Sequence, residues 1–182
     1  MSDSAGDRLH EYHKFVGWFI SQYANLEDCL RRLLLQHTGM SVEMFAITIG
    51  FPRTSDAINK LRKVIALNQS LDPDSQAALA DAFGQLDLIS KLRDRIVHYG
   101  GHPINTGEFL VRSKPSDKSR ETGEPYDLFD KQELWSAASD LFTIQNVFNY
   151  RLGESELPNQ EVNGVRREPW RYTPPGQRQN PR

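Results

Sequence analysis

The 182 residues contain a single cysteine, Cys29. No internal disulfide can form, so packing alone must hold the chain together, as expected of a protein in a reducing cytoplasm. Cys29 falls inside an apolar helical pattern, where a thiol is a packed side chain rather than a nucleophile. No apolar run reaches the roughly 20 residues that a membrane span requires. The first residues, MSDSAGDRLHEYH, are polar and acidic. They have neither the apolar stretch of a secretion signal nor the basic pattern of a transit peptide, so the expected location is the cytoplasm, away from any membrane. The P-loop, the G-x-G-x-x-G turn after a strand and the G-x-S-x-G elbow are also missing, which removes the usual signals for nucleotide hydrolysis and ester chemistry. No glutamate has a histidine three residues on, so the ligand pairs of a di-iron bundle are absent. His10 and His13 have helical spacing but no third ligand, and Gly100-Gly101 separates His98 from His102. Neither a metal nor a cofactor is expected.

A strong global charge is lacking as well. The formal net charge is −2, which gives no overall pull towards nucleic acid. The distribution is uneven, however. Residues 163–182 hold five arginines (Arg166, Arg167, Arg171, Arg178 and Arg182) against the one acid Glu168, a balance of +4. The remaining residues carry 17 basic and 23 acidic side chains, a balance of −6. The body is acidic and the tail is basic.

What the chain does have is helical periodicity. From about Tyr12 to Gln36, the residues Phe15, Phe19, Tyr23, Leu26, Leu30, Leu33 and Leu34 recur every three or four positions, which is one stripe of an α-helix. Gly39 is a stop signal. Ser41 caps a short helix carrying Met44, Phe45 and Ile47, and Gly50 to Pro52 breaks it. Thr54 or Ser55 can cap the next helix, with Ile58, Leu61, Val64, Ile65 and Leu67. Asp72-Pro73 then reads as N-cap and first-turn proline. It opens a long helix that lines up Leu79, Phe83, Leu86, Ile89 (or Leu88), Leu92, Ile96 and Val97. Between Gly107 and Asp130 the texture changes: Phe109 to Val111 and Tyr126 to Phe129 are short strand candidates around the polar run SKPSDKSRETGEP, and a β-hairpin is expected. A last helix from about Lys131 to Leu152 carries Leu134, Ala138, Leu141, Phe142, Val147 and Phe148 (or Ile144).

The expected fold is therefore all-α, a bundle of four to five helices with a small hairpin inserted before the last long helix. One domain over residues 12–153 follows, with a flexible N-terminus over 1–11 and a tail over 154–182 that is disordered or partner-bound.

The segment KLRDRIVHYGGHP, Lys91 to Pro103, stands out. It sets Arg93, Asp94, Arg95 and His98 into six positions at the end of the long helix, then breaks with two glycines. One explanation is purely structural: cations suit a helix C-terminus, and Asp94 with His98, or Arg95 with Tyr99, have the spacing of i,i+4 pairs. The other is chemical. A histidine at an open helix end can act as general acid or base near neutral pH, and Asp94 one turn back can orient its ring. Arg93 lies about 140° around the helix from His98, and its long side chain can offer paired hydrogen bonds to a phosphate.

Arg93 to His98, R-D-R-I-V-H, resembles the R-x4–6-H signature of HEPN domains, with the polar residue that often follows the arginine present as Asp94. The resemblance covers roughly Tyr12 to Leu152. It implies an HEPN-like helical domain, usually a homodimer, whose two motifs meet in a cleft. It also implies a metal-independent endoribonuclease of a toxin–antitoxin, abortive-infection or other defence system, with RNA as substrate and a cognate antitoxin as partner. Within that scheme Arg93, His98 and Asp94 are the catalytic residues, with Arg95, Tyr99 and His102 as substrate contacts. Some toxins paired with nucleotidyltransferase antitoxins read R-x4-H-x-Y; here the tyrosine, Tyr99, directly follows His98 and Gly100 occupies the expected place. The alternative within the same family is a non-catalytic module that binds nucleotides, RNA or protein. The tail has two uses as well: its arginines, interleaved with Trp170 and Tyr172, suit RNA contact by charge and stacking, or packing on the acidic body or a partner.

Overall fold

The computed structural model describes residues 5–50, 52–67, 71–104, 108–112, 126–153 and 169–174. Among these it has five helices: α1 (Ala5–Thr38), α2 (Val42–Thr48), α3 (Thr54–Leu67), α4 (Pro73–Tyr99) and α5 (Lys131–Leu152). Three strands, β1 (Gly101–Pro103), β2 (Glu108–Arg112) and β3 (Tyr126–Asp130), lie between α4 and α5. The chain is an all-α bundle with a small antiparallel sheet of order β1-β2-β3. The expected strand pair is present with Phe109 opposite Phe129, and the polar run between its strands lies outside the described residues. β1 was not foreseen, because Gly-His-Pro has no strand propensity. It survives as an edge strand, the place in a sheet where proline is tolerated.

Periodicity names most of the core. Phe19, Tyr23, Leu26, Leu30, Leu33 and Leu34 of α1 are all buried, and α1 starts at Ala5, ahead of the expected Tyr12, with Asp7 in its first turn. Ile58 and Leu61 are buried on α3, as are Leu79, Phe83, Leu86, Ile89, Leu92 and Ile96 on α4. Several expected core residues are not buried: Leu67 is 82% exposed, Val97 48% and Phe142 58%, and Phe15, Val64, Ile65 and Val147 are half-buried. Val97 follows buried Ile96 and Phe142 follows buried Leu141, and a single step turns a side chain 100° around the helix, off the stripe. Ile144 takes the place of Phe142 in the core. On α2 only Phe45 is buried, while Met44 and Ile47 face outward.

Local signals set the ends of these helices. Ser41 Oγ accepts from the Met44 N–H, as a cap should. Asp72 accepts from the Ser75 backbone N–H at 2.9 Å and the Ser75 hydroxyl at 2.6 Å; these bonds hold its carboxyl below the usual aspartate range. Thr54 does not cap α3: its hydroxyl donates to Glu27 instead. At the start of α5, Asp130 and Glu133 form a reciprocal capping box. The Glu133 N–H donates to Asp130 at 2.7 Å, and the Asp130 N–H donates to Glu133 at 2.8 Å.

The chain divides into two compact units. Unit 1 draws on Met1–Tyr23, Leu86–Leu141 and Trp170–Arg182, and unit 2 on Ala24–Gln85 and Phe142–Pro169. The division falls within α1, α4 and α5; α4 alone has 27 residues, about 40 Å of helix. Unit 2 contains Cys29, which is fully buried and donates from Sγ to Asn149 Oδ1 at 3.2 Å. Burial pushes its thiol up to about 11.

Two measurements check this account. Asp130→Ala should cost about 1 kcal/mol in urea denaturation, the usual effect of losing a cap. At pH 8 the Cys29 thiolate fraction is roughly one in a thousand. Native protein should therefore resist thiol-specific reagents that label it completely in denaturant.

Candidate functional site

The motif segment lies on the last two turns of α4, within unit 1. Leu92 and Ile96 are buried and hold this stretch to the core, which leaves the polar residues between them to face outward or sideways. Gly100 ends the helix in the left-handed conformation, φ 65°, with its N–H donating to Ile96 O at 3.1 Å. A side chain is strained at such an angle, so glycine suits the position. The chain passes directly into β1, and His98 is left exposed two residues before the break.

Arg93 is held from two sides. Its Nη1 donates to Asp94 Oδ1 at 3.0 Å, and its guanidinium carbon lies 5.4 Å from the centroid of the Tyr23 ring, a cation–π distance. The Arg93 side chain is 29% exposed and that of Asp94 60%. Asp94 thus serves the arginine; the expected i,i+4 contact to His98 is not made. This corrects the sequence expectation, and the reason is geometric: the guanidinium reaches the adjacent carboxylate directly, while the imidazole points out to solvent.

Tyr23 belongs to the apolar stripe of α1, yet it also organises the site. It is 3% exposed, and its hydroxyl lies 2.9 Å from Ser90 Oγ. Ser90 donates its single proton to Leu86 O at 2.8 Å, so the phenol must be the donor to Ser90. Ser90 and Arg93 are three apart and share a face of α4. The tyrosine ring is thereby fixed beneath the guanidinium. A tyrosine on a core stripe with a serine and an arginine at i,i+3 on another helix is not a signal that sequence alone separates from ordinary packing.

The other expected substrate contacts are spread out. Arg95 is half-buried, and Tyr99 is at the margin of exposure on the final turn of α4. His102 belongs to β1, where its backbone pairs with Leu110; its side chain lies outside the description. Among the described residues no group of three or more His, Cys, Asp or Glu side chains is placed to hold a metal ion, and no helix is long and apolar enough to cross a membrane. Unit 2 has a cleft of about 490 Å³ between α3 and α4. Its walls are mainly apolar, its one cation, Arg62, lies 4.9 Å over the Phe83 ring, and neither an acid nor a histidine lines it.

Scans against family models, curated proteins and solved structures each return no match to this chain.

The Tyr23–Ser90 link predicts coupled energetics. Tyr23→Phe and Ser90→Ala should each cost about 1 kcal/mol in denaturant unfolding. The double variant should cost less than the two together, because both remove the same hydrogen bond. Strict additivity would contradict the assignment.

Proposed function

We propose that the chain is a metal-independent endoribonuclease of HEPN type, acting through Arg93 and His98. The observation that carries this reading is the joint geometry at the end of α4: a guanidinium seated on Tyr23 and an imidazole exposed at a glycine-terminated helix end. In the proposed reaction the ribose 2′-oxygen attacks the adjacent phosphorus, and the bond to the 5′-oxygen breaks. A base takes the 2′-proton and an acid protonates the departing oxygen. His98 supplies one of these roles. Arg93 holds the non-bridging phosphate oxygens and stabilises the charge that grows on them. Asp94 fixes the guanidinium orientation. A homodimer that brings two copies of the motif together would provide separate imidazoles for base and acid, and an antitoxin that covers the same cleft would silence it. The competing reading, a non-catalytic binding module of the same type, draws on the acidic body, whose balance of −6 over residues 1–162 does not attract a polyanion.

Purified protein with single-stranded RNA and excess EDTA distinguishes the two. Cleavage should persist in the chelator, and His98→Ala should slow it by about 10²–10⁴-fold, the range of a lost general acid or base. Arg93→Gln should weaken cleavage as well. Equal cleavage by wild type and His98→Ala would remove His98 from the mechanism, and RNA that is bound but not cut would favour the module.

A further inference from the structure

In unit 1, a stretch of the tail is held on α5 by contacts that recognise a peptide. Asp140 is 2% exposed. Its carboxylate accepts the backbone N–H of Arg171 at 3.0 and 3.1 Å, one distance to each oxygen, and that of Tyr172 at 2.8 Å. Two successive N–H groups cannot meet one anion from a straight strand, where they point to opposite sides. The chain bends at Arg171, and the bend aims both amides inward, as in the anion-binding nests formed by consecutive amides. Tyr172 is 4% exposed and anchors the stretch. The Arg171 guanidinium lies 5.4 Å from the Trp135 ring centroid. Trp135 itself rests against Trp18, with centroids 6.3 Å apart.

These contacts differ from core packing in one respect. The stretch belongs to no helix or strand, so carboxylate, tryptophan face and aromatic anchor hold it without a backbone ladder. A carboxylate buried to this degree is costly unless donors meet it, and with the stretch in place the backbone N–H groups of Arg171 and Tyr172 meet it. A peptide with the same bend, an arginine and a following aromatic meets every one of these contacts, whichever chain it belongs to.

We propose that the α5 face bearing Trp135 and Asp140 is a peptide-binding site. Its ligands are short segments that bend at an arginine followed by a buried aromatic, and Trp170–Thr173 is its tethered occupant. Thirty-one residues separate Asp140 from Arg171. Covalent attachment makes the stretch an intramolecular competitor at an effective concentration on the order of millimolar. A peptide of the same chemistry in trans then binds well only when that competitor is weakened. This inference does not depend on the ribonuclease reading.

The test uses the full chain and a fluorescein-labelled peptide, Glu-Pro-Trp-Arg-Tyr-Thr-Pro-Pro, followed by anisotropy. Tyr172→Ala removes the anchor of the tethered occupant, so that chain should bind the peptide at least about tenfold tighter than wild type. Adding Asp140→Leu to Tyr172→Ala should abolish the gain, and a peptide with alanine for arginine should bind roughly two- to fivefold more weakly, as loss of a cation–π contact implies. Equal or absent binding by wild type and a Tyr172→Ala chain that circular dichroism shows to be folded overturns the proposal. Should that variant be unfolded, a chain with a protease site between residues 160 and 161, cut after folding, decides the matter. The severed segment must exchange with excess labelled peptide, and failure to exchange is again a negative result.

Discussion

A serine hydroxyl has one proton, and the proton of Ser90 goes to the Leu86 carbonyl. That leaves its oxygen as an acceptor and commits the buried phenol of Tyr23 as donor. The seat of Arg93 on α4 rests on this small constraint. The tyrosine is positioned by its hydroxyl end, and the Arg93 guanidinium lies over its ring. Arg93 is then directed along the ring to Asp94, and His98 extends past the last buried contact at Ile96 to the turn made by Gly100. Each step is weak alone. Together they fix the Arg93 side of the helix end, while His98 lies about 140° around it.

Arginine on an aromatic face recurs in this chain: Arg62 on Phe83, Arg93 on Tyr23, Arg151 on Tyr150 and Arg171 on Trp135. The arrangement has a physical consequence. A guanidinium that stacks through its face keeps its N–H donors in the plane of the group, directed away from the ring. A carboxylate that engages the fork edge uses those donors instead. Stacking therefore positions a cation with less demand on its hydrogen bonds. At Arg171 the same device adds side-chain specificity to a contact that Asp140 makes only with backbone.

The stripes on α1 and α4, the caps at Ser41 and Asp72 and the glycine stops were legible because each depends on residues close in sequence. The capping box of α5 was equally local, an Asp-x-x-Glu from Asp130 to Glu133, and was readable in principle. Phe142 and Val97 show the resolution limit of periodicity. An apolar residue beside a true stripe position fits the pattern nearly as well, and only the shape of the neighbouring elements decides between them. Tyr23 and Asp140 were of another kind. Tyr23 lies 67 residues from Ser90, and Asp140 lies 31 from Arg171. Nothing local distinguishes a tyrosine that packs from one that also positions an arginine. Asp140 interrupts an apolar stripe on α5, which marks it as unusual without revealing that its partners are backbone amides.

The Arg93–Asp94 contact bears on whether the α4 end can accept an anion. A carboxylate within 3.0 Å of a guanidinium could be regarded as occupying the phosphate position already. Exposure argues otherwise. With the Asp94 side chain 60% exposed, the pair sits in high dielectric, where such bridges contribute about 0–1 kcal/mol. Releasing one guanidinium N–H from Asp94 to a phosphate oxygen thus costs little, and the departing carboxylate is hydrated by water. The cation–π contact to Tyr23 is made through the ring face and survives that exchange. The ring holds the cation while its edge changes partners, so a weak, exposed carboxylate and a buried, fixed aromatic together fit the phosphate-binding role proposed for Arg93.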